Sequence, residues 1–385
     1  MKEMMRNNAS KLCAFMKENP HDWKEKLAEL NVKVKESEEY PLAILNYGVG
    51  ADFTHPLVRE ARGIVIRTDS FEPVCWSFNK FCNPHEAGAE QDLRNFDWNR
   101  CRCQEKIDGS IVKLFFNPFS GRWQWATNSC LSAADARVAS RPDQTYLDVI
   151  ESAVNYGRIR FEDLTEGLTY TFELVSPQTQ VVVKYPEARL YHTGTRNCLT
   201  GEELDCEVGV EKPKEYPLKS LADCMKAAEE LNRDSDAVTQ EGFVVVDAEW
   251  NRVKVKSPEY FAMHRISNNN SFSKERIVEI LRSGEADVET LANDFPLYSV
   301  YFRYYAYRMT ELEWNVDRFI GFARGLYEEY GRERKAVALR IKDSKYAAFG
   351  FGSLENEKTA AELLAGLSLG RYCAMIPDYE PERVY

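Results

Sequence analysis

The sequence predicts an α+β protein in two domains, residues 1–267 rich in antiparallel strands and residues 268–385 all-helical. Three observations predict it. Short runs of β-branched and aromatic residues, bounded by Gly, Asn and Pro, recur from Ile44 to Ser257. Beyond about residue 265 the apolar residues change to spacings of three and four, the period of an amphipathic helix. Between the two regions lies Asn268-Asn269-Asn270-Ser271, which has the composition of a short polar linker.

The elements follow in order. Residues 1 to about 40 read as helical, because Leu12, Phe15 and Met16, then Trp23, Leu27 and Leu30, recur at helical spacing. Asn19-Pro20 breaks that run in two. Ile44–Tyr47 is a short strand, closed by Gly48-Val49-Gly50. Glu60–Arg67 is an apolar strand entered through Arg62-Gly63, and Pro73–Phe78 is another, leading into Asn79-Lys80-Phe81-Cys82-Asn83. Residues 103–128 read as a hairpin: Lys106-Ile107-Asp108-Gly109-Ser110 forms a tight turn that opens one strand, and Arg122–Asn128 returns. A helix is expected over Tyr146–Tyr156, then strands over Thr169–Val175, Gln180–Tyr185 and Arg189–Thr193. Lys219–Asn232 reads as an amphipathic helix, and Gln240–Asp247 with Arg252–Ser257 as a second hairpin.

In the last region Leu312, Val316, Phe319, Ile320, Ala323, Leu326, Tyr327 and Tyr330 mark a long amphipathic helix, and Thr359–Leu369 a shorter one. Tyr298, Tyr301, Tyr304, Tyr305 and Tyr307 read as helical core, with base stacking as the alternative.

Composition sets limits. With 44% hydrophobic and 29% charged residues, the chain has the make-up of an ordinary soluble protein. No apolar run reaches the about 18 residues of a membrane span. Met1–Asn8 lacks the apolar centre of a signal peptide, and the ten cysteines include no CxxC, so a reduced, cytoplasmic protein is expected. The five histidines do not cluster as metal ligands. A net charge of −11 argues against coating nucleic acid by bulk electrostatics but leaves room for a local basic cleft.

The candidate chemistry centres on Lys106. A free lysine has a pKa of about 10.4, so its nucleophilic form at pH 7 lies roughly 4 to 5 kcal/mol uphill. Desolvation or neighbouring cations must remove that cost. Lys254 and Lys256 share one face of a strand whose other face carries Val253 and Val255. If that face lines a cleft, the pair binds phosphates and depresses the pKa of a nearby lysine; otherwise it is a solvated edge. Glu173 is a carboxylate on the strand face opposite Phe172 and Leu174, equally readable as a surface position.

The ordered set of motifs supports a named resemblance. Lys106-Ile107-Asp108-Gly109-Ser110 resembles the KxDG(S) motif of covalent nucleotidyltransferases, a superfamily of DNA ligases, RNA ligases and mRNA capping enzymes. Tyr170–Val175, Glu241–Val244 and Val253–Lys256 are similar to three later motifs of that superfamily. Arg62-Gly63-Ile64, Lys80-Phe81, Glu173–Pro177, and Lys256-Ser257 followed by Tyr260 and His264 make the chain most similar to the T4 RNA ligase 1 family, over residues 42–290.

The resemblance implies a nucleotidyltransferase domain (an ATP-grasp-like ligase core) that joins RNA 3′-OH and 5′-phosphate ends. It implies a lysyl-AMP on Lys106, then an RNA-adenylate. It implies ATP contacts by Arg62, Lys80, Glu173, Glu241, Lys254 and Lys256, Mg²⁺ as cofactor, and a metal-associated carboxylate at Asp287. RNA is the implied partner, with a nicked tRNA anticodon loop suggested by the helical C-terminal region and RNA repair as the setting. No membrane and no protein partner are implied, and the compartment is the cytoplasm of a bacterium or phage-infected host. The chain departs from the family pattern at Asn128, Leu45 and Cys82, which puts the details of the ATP contacts in question. The alternatives are a DNA ligase, a capping guanylyltransferase or a non-catalytic RNA-binding homologue.

Overall fold

The computed structural model describes residues 9–48, 50–86, 88–232, 238–258, 260, 273–284, 287–294, 298–354 and 358–379. The chain divides into two compact units, Met1–Asn270 and Ser271–Tyr385. The linker expected at 268–271, the boundary expected at 267/268, His264 and Met1–Asn8 lie outside the described residues.

The first unit holds three main sheets, all of antiparallel pairs. Sheet 1 has the order β1 (Val32–Glu36), β2 (Leu42–Tyr47), β3 (Arg62–Arg67), β4 (Pro73–Cys75). Sheet 2 runs β12 (Glu203–Leu204), β11 (Arg189–Asn197), β10 (Leu168–Val175), β6 (Ser110–Asn117), β7 (Arg122–Thr127). Sheet 3 runs β13 (Glu215–Tyr216), β5 (Arg102–Lys106), β14 (Gly242–Val246), β15 (Arg252–Lys256). A small ribbon, β8 (Arg137–Val138) with β9 (Arg141–Thr145), lies apart from these.

Alternation along each strand decides what packs where. Ala43, Leu45, Ile64 and Ile66 of sheet 1 pack with Leu12, Met16, Trp23 and Leu27 from the helices Lys11–Glu18 and Trp23–Glu29. The opposite face, Leu42, Ile44, Val65 and Cys75, packs on Phe115 and Ala126 of sheet 2. The far face of sheet 2 is covered by Val149 and Ile150 of the helix Tyr146–Glu151, which opens with a capping box from Thr145 to Asp148. Sheet 3 is backed by Cys224 and Ala228 of the helix Leu221–Glu230. Burial of these faces is the main stabilising contribution.

Most expected elements of the first unit are present, with three corrections. The helical reading up to about residue 40 fails at Val32–Glu36, which is β1, paired residue for residue with Ala43–Tyr47. The alternation Val32, Lys33, Val34, Lys35 has period two and belongs to a strand. The expected strand Gln180–Tyr185 is irregular. Its N–H groups at Val182 and Val183 donate instead to Asp108 Oδ2, at 2.8 and 2.7 Å, so no ladder forms. Lastly, residues 103–128 are not one hairpin. β6 and β7 pair, but β5 joins a different sheet, and Ile107-Asp108-Gly109 is the crossover between sheets 3 and 2.

Sheets 2 and 3 are tied by a buried carboxylate. Glu203 on β12, 5% exposed, accepts from Arg196 Nη2 at 2.7 Å and from Arg252 at 2.8 and 2.6 Å. Burial opposes its charge, but the two guanidinium groups hold its pKa below the usual carboxylate value. Glu203→Ala leaves two buried cations unpaired and is expected to cost about 3–5 kcal/mol. Urea unfolding reads this; a loss under about 1 kcal/mol, the range of an exposed pair, would remove the tie. Because the pKa is depressed on folding, this contribution is present above the unfolded carboxylate pKa and is lost as pH falls through the folded value.

All regular elements among the described residues of the second unit are helices, and the longest is Ser299–Glu329. Phe302, Leu312, Val316, Ile320 and Ala323 are buried along it. The tyrosine stretch divides: Tyr305 is buried, Tyr301 and Tyr304 pack on Tyr379, and Tyr307 is exposed. The helix expected over Thr359–Leu369 is shorter, Ala360–Ala365, capped by Thr359.

Candidate active site

The crossover from β5 to β6 explains how Lys106 is placed. Lys106 is the last residue of β5, and β14 stands beside it with Gly242 opposite Lys106 on one side and opposite Lys256 of β15 on the other. Three strands thus bring two lysines to either side of Gly242. Gly242 sits at φ +150, and a Cβ there would come within 2.8 Å of the Lys256 Cα. Glu241, one residue earlier, therefore lies between the two ammonium groups.

Lys106 Nζ donates to Glu241 Oε2 at 2.7 Å, and Lys256 Nζ pairs with Oε1 at 2.8 Å. Glu241 is 2% exposed. Burial disfavours its charge, yet Lys106 and Lys256 together hold its pKa below the usual carboxylate range. Gly109 is needed in the crossover, because a Cβ would strike the Leu174 carbonyl and crowd Glu173 Cγ at 3.1 Å. That close approach sets Glu173 near Lys106. Burial is the main reason that the Glu173 carboxyl is pushed up to about 7; Lys106 and Arg62 pull it down, and Glu241 and Asp108 push it up.

Asp108 holds the other side of the crossover. Besides the two N–H groups of 182–183, its Oδ1 accepts from Tyr260 Oη at 2.6 Å. Burial first, then the Glu241 charge, raises its carboxyl to about 6. Tyr260 also lies under Lys256 Nζ, 4.8 Å from the ring centre.

These groups line one cavity of about 800 Å³ within the first unit. Lys106, Arg62, Lys80, Glu173, Glu241, Lys254 and Lys256, the ATP-site residues expected from the sequence, all border it. Seven basic residues, the five cations just named plus Arg137 and Arg252, line the cavity against five acidic ones, so the site is locally positive in a chain of net charge −11. Lys254 is the least stabilised cation. Burial and then the Lys80 charge push its ammonium down to about 7, with Glu86 at 3.7 Å giving partial relief. Lys80 shares Glu86 at 3.3 Å and stacks 4.7 Å from the Phe53 ring centre. Arg62 stacks on Phe81 at 5.4 Å, and its Nη1 is buried without a hydrogen-bond partner.

Protonation departs from expectation at Lys106. Burial lowers the pKa of Lys106, but Glu241, Glu173 and Asp108 outweigh it and the net shift is upward. The sequence predicts that neighbouring lysines depress it; the charges of Glu241, Glu173 and Asp108 raise it instead.

Asp287 is not among the cavity residues. It lies in the second unit, where its carboxylate accepts from the N–H groups of Glu289 and Thr290 at 2.9 Å and caps the helix Val288–Asp294. Among the described residues no group of three or more His, Cys, Asp or Glu could hold a metal ion. Of the departures from the family pattern, Asn128 lines the cavity, whereas Leu45 is buried in the helix-covered core of sheet 1 and Cys82 is fully buried and does not line it. Sequence reasoning missed Glu86 and Arg252. Glu86 sits in an irregular segment with no periodic signal, and Arg252 carries only the signal of a strand residue.

Fold and cavity place a lysine at a crossover between two antiparallel sheets, facing cations that suit phosphates. No protein-family model matches the chain. Curated relatives are RNA ligases by name. A protein of Autographa californica nuclear polyhedrosis virus named as a bifunctional polynucleotide kinase/RNA ligase is 28% identical over 282 residues, covering 67% of this chain and 38% of the viral protein. The RNA ligase of Rhodothermus phage RM378 is 23% identical over 381 residues, covering 82% and 86% of the two chains. A Thermovibrio ammonificans protein named as an RNA ligase is 28% identical over 247 residues, 61% of each. The resemblance to RNA ligases drawn from the motifs is borne out in these relatives. The chain thus spans little more than a third of the viral protein. Among solved structures, an archaeal ATP-dependent RNA ligase aligns over 77% of both chains at 15% identity with a TM-score of 0.46. No helix among the described residues is long and apolar enough to cross a membrane.

Proposed function

We propose that the chain is an ATP-dependent RNA ligase that works through a lysyl-AMP on Lys106 and an RNA-adenylate. The observation that carries this reading is the cavity in which Lys106 meets Arg62, Lys80, Lys254 and Lys256. The residues present fit a nucleotide polyphosphate: Arg62 Nη1 is buried and unpartnered, and Lys254 is a buried cation short of a counter-charge. In the first step the neutral Lys106 amine attacks the α-phosphorus of ATP; the N–P bond forms, the bond to pyrophosphate breaks, and the amine sheds its proton. The 5′-phosphate of RNA then displaces the lysine, and a 3′-hydroxyl displaces AMP to form the phosphodiester.

Transfer of this kind depends on charge neutralisation and positioning. Lys254 and Lys256 would meet the α-phosphate, and Arg62 and Lys80 the remaining phosphates. Glu173 and Glu241 would hold the ribose or a Mg²⁺ ion, which would draw negative charge off the phosphates. A nicked tRNA anticodon loop as substrate and RNA repair as the setting belong to the same reading.

The test is transfer of label from [α-³²P]ATP to the protein, then to 5′-phosphorylated RNA added second. Labelling from GTP instead of ATP would favour a capping guanylyltransferase. Absence of any adduct in folded protein would leave a non-catalytic RNA-binding homologue.

The division of labour between domains has its own test. A chain ending at Ser267 is expected to form lysyl-AMP, because every residue assigned to ATP except Asp287 precedes that point. It is expected to join RNA ends with altered substrate preference. Adenylylation and ligation measured side by side on monodisperse protein decide this. Loss of adenylylation in a folded truncation would mean that residues 268–385 complete the ATP site.

A further inference from the structure

Lys113 has no part in the chemistry above, yet it is a charge in the core. It stands on β6 between Ala126 of β7 and Thr171 of β10, and its exposure is 0%. Its face of β6 is the one that, at Phe115, packs against sheet 1. Its ammonium donates to the carbonyl of Gly63 on β3. The groups bearing on its charge are the Cys75 thiol and the Arg62 guanidinium, with no carboxylate among them; burial is the larger influence and pushes it down to about 8. A buried ammonium is a costly donor for one hydrogen bond, since a methionine would fill the same space without desolvating a charge.

The junction it serves is tightly built. Gly63 has φ +72, and a Cβ there would lie 2.6 Å from both Lys113 Nζ and the Asn128 carbonyl oxygen. That same oxygen accepts from Asn46 Nδ2 at 2.7 Å, and the register of β2 on β3 slips between Leu45 and Asn46. Lys113, Gly63, Asn46 and Asn128 therefore meet at one point where sheets 1 and 2 touch. Two cavity residues leave that point, Arg62 and Asn128, and each carries a buried polar atom without a partner, Nη1 and Oδ1.

We propose that Lys113 is a positioning residue for nucleotide binding, setting Arg62 and Asn128 against the nucleotide's phosphates through the Gly63 carbonyl. This rests on the ATP reading of the cavity. Without Lys113 the Gly63 carbonyl loses that donor, and the start of β3, which carries Arg62, is free to relax. An anion held by Arg62 would in turn supply the negative charge that the Arg62–Lys113 pair lacks.

The experiment is a double-mutant cycle on the full chain with Lys113→Met, Arg62→Met and the pair, read by calorimetric Kd for ATP and by the KM and kcat of adenylylation. Lys113→Met is expected to raise Kd and KM about tenfold with kcat changed less than about threefold, and the pair to bind no worse than Arg62→Met alone. Multiplying effects in the cycle, or a fall in kcat at unchanged Kd, would overturn the proposal. Should Lys113→Met fail to fold by thermal melting, Lys113→Gln replaces it with the same expectation; unfolding of both would make Lys113 a scaffold residue and overturn it too. Wild-type protein that binds no ATP and forms no adduct would overturn the ATP reading instead, a distinguishable result.

Discussion

Lys106→Arg is expected to abolish protein–AMP formation while the protein stays folded. Arginine keeps the positive charge that Glu241 pairs with, at 2.7 Å in the native protein, but its guanidinium does not give up a proton to become a nucleophile. The test is sharper here than in most lysine-centred sites, because two amines compete. Three carboxylates raise Lys106, whereas burial and the Lys80 charge bring Lys254 down to about 7. On protonation alone Lys254 is the more available nucleophile. Position favours Lys106: it ends β5 at the crossover, with Glu173, Glu241 and Asp108 around it. Mass spectrometry of the adenylylated peptide is expected to find AMP on Lys106 in the native protein and none in Lys106→Arg. An adduct on Lys254 in either protein would transfer the role.

Glu241→Gln is expected to have the next largest effect. The glutamine keeps the shape of the side chain but leaves Lys106 and Lys256 without the charge they share. A misplacement of about 1 Å at a reacting group can cost on the order of 100-fold in rate, and a loss of at least that size is expected here. The pH profile should move in a definite direction. Glu241 raises the pKa of Lys106, so its neutral amine forms only at alkaline pH and adenylylation climbs with pH. Removing Glu241 lowers that pKa, so the climb should begin at lower pH although the plateau falls. Single-turnover rates across the alkaline range check both parts. A profile displaced to higher pH would mean that Glu241 does not control the Lys106 proton.

Much of this site was legible because its residues are local. The KxDG turn, the Glu-Gly opening of β14 and the Lys-x-Lys of β15 each occupy a few consecutive positions, and strand alternation places their side chains without knowledge of the fold. The same alternation set Glu173 opposite Phe172 and Leu174 on β10, and Lys254 with Lys256 on one face of β15. Residues whose roles depend on distant partners were not legible. Glu86 reaches Lys80 and Lys254 from an irregular segment, and Glu203 gains its meaning only from Arg196 and Arg252 on other strands. Asp287, a position transferred by resemblance, is a helix cap in the second unit, a local role that its sequence neighbourhood alone does not announce.

By itself the sequence determined the change from strand-rich to helical composition, the order of the motifs and the identity of the lysine at the crossover, because these follow from periodicity and from residue chemistry at short range. Only the tertiary structure decided that β5 and β6 belong to different sheets, that residues 180–185 donate to Asp108 rather than to a ladder, and that Lys106 is held protonated by three carboxylates. Hydrogen-bond partners and local electrostatics are set by groups far apart in the chain and brought within a few ångströms by packing. A buried pKa answers to those neighbours, and no short-range pattern carries them.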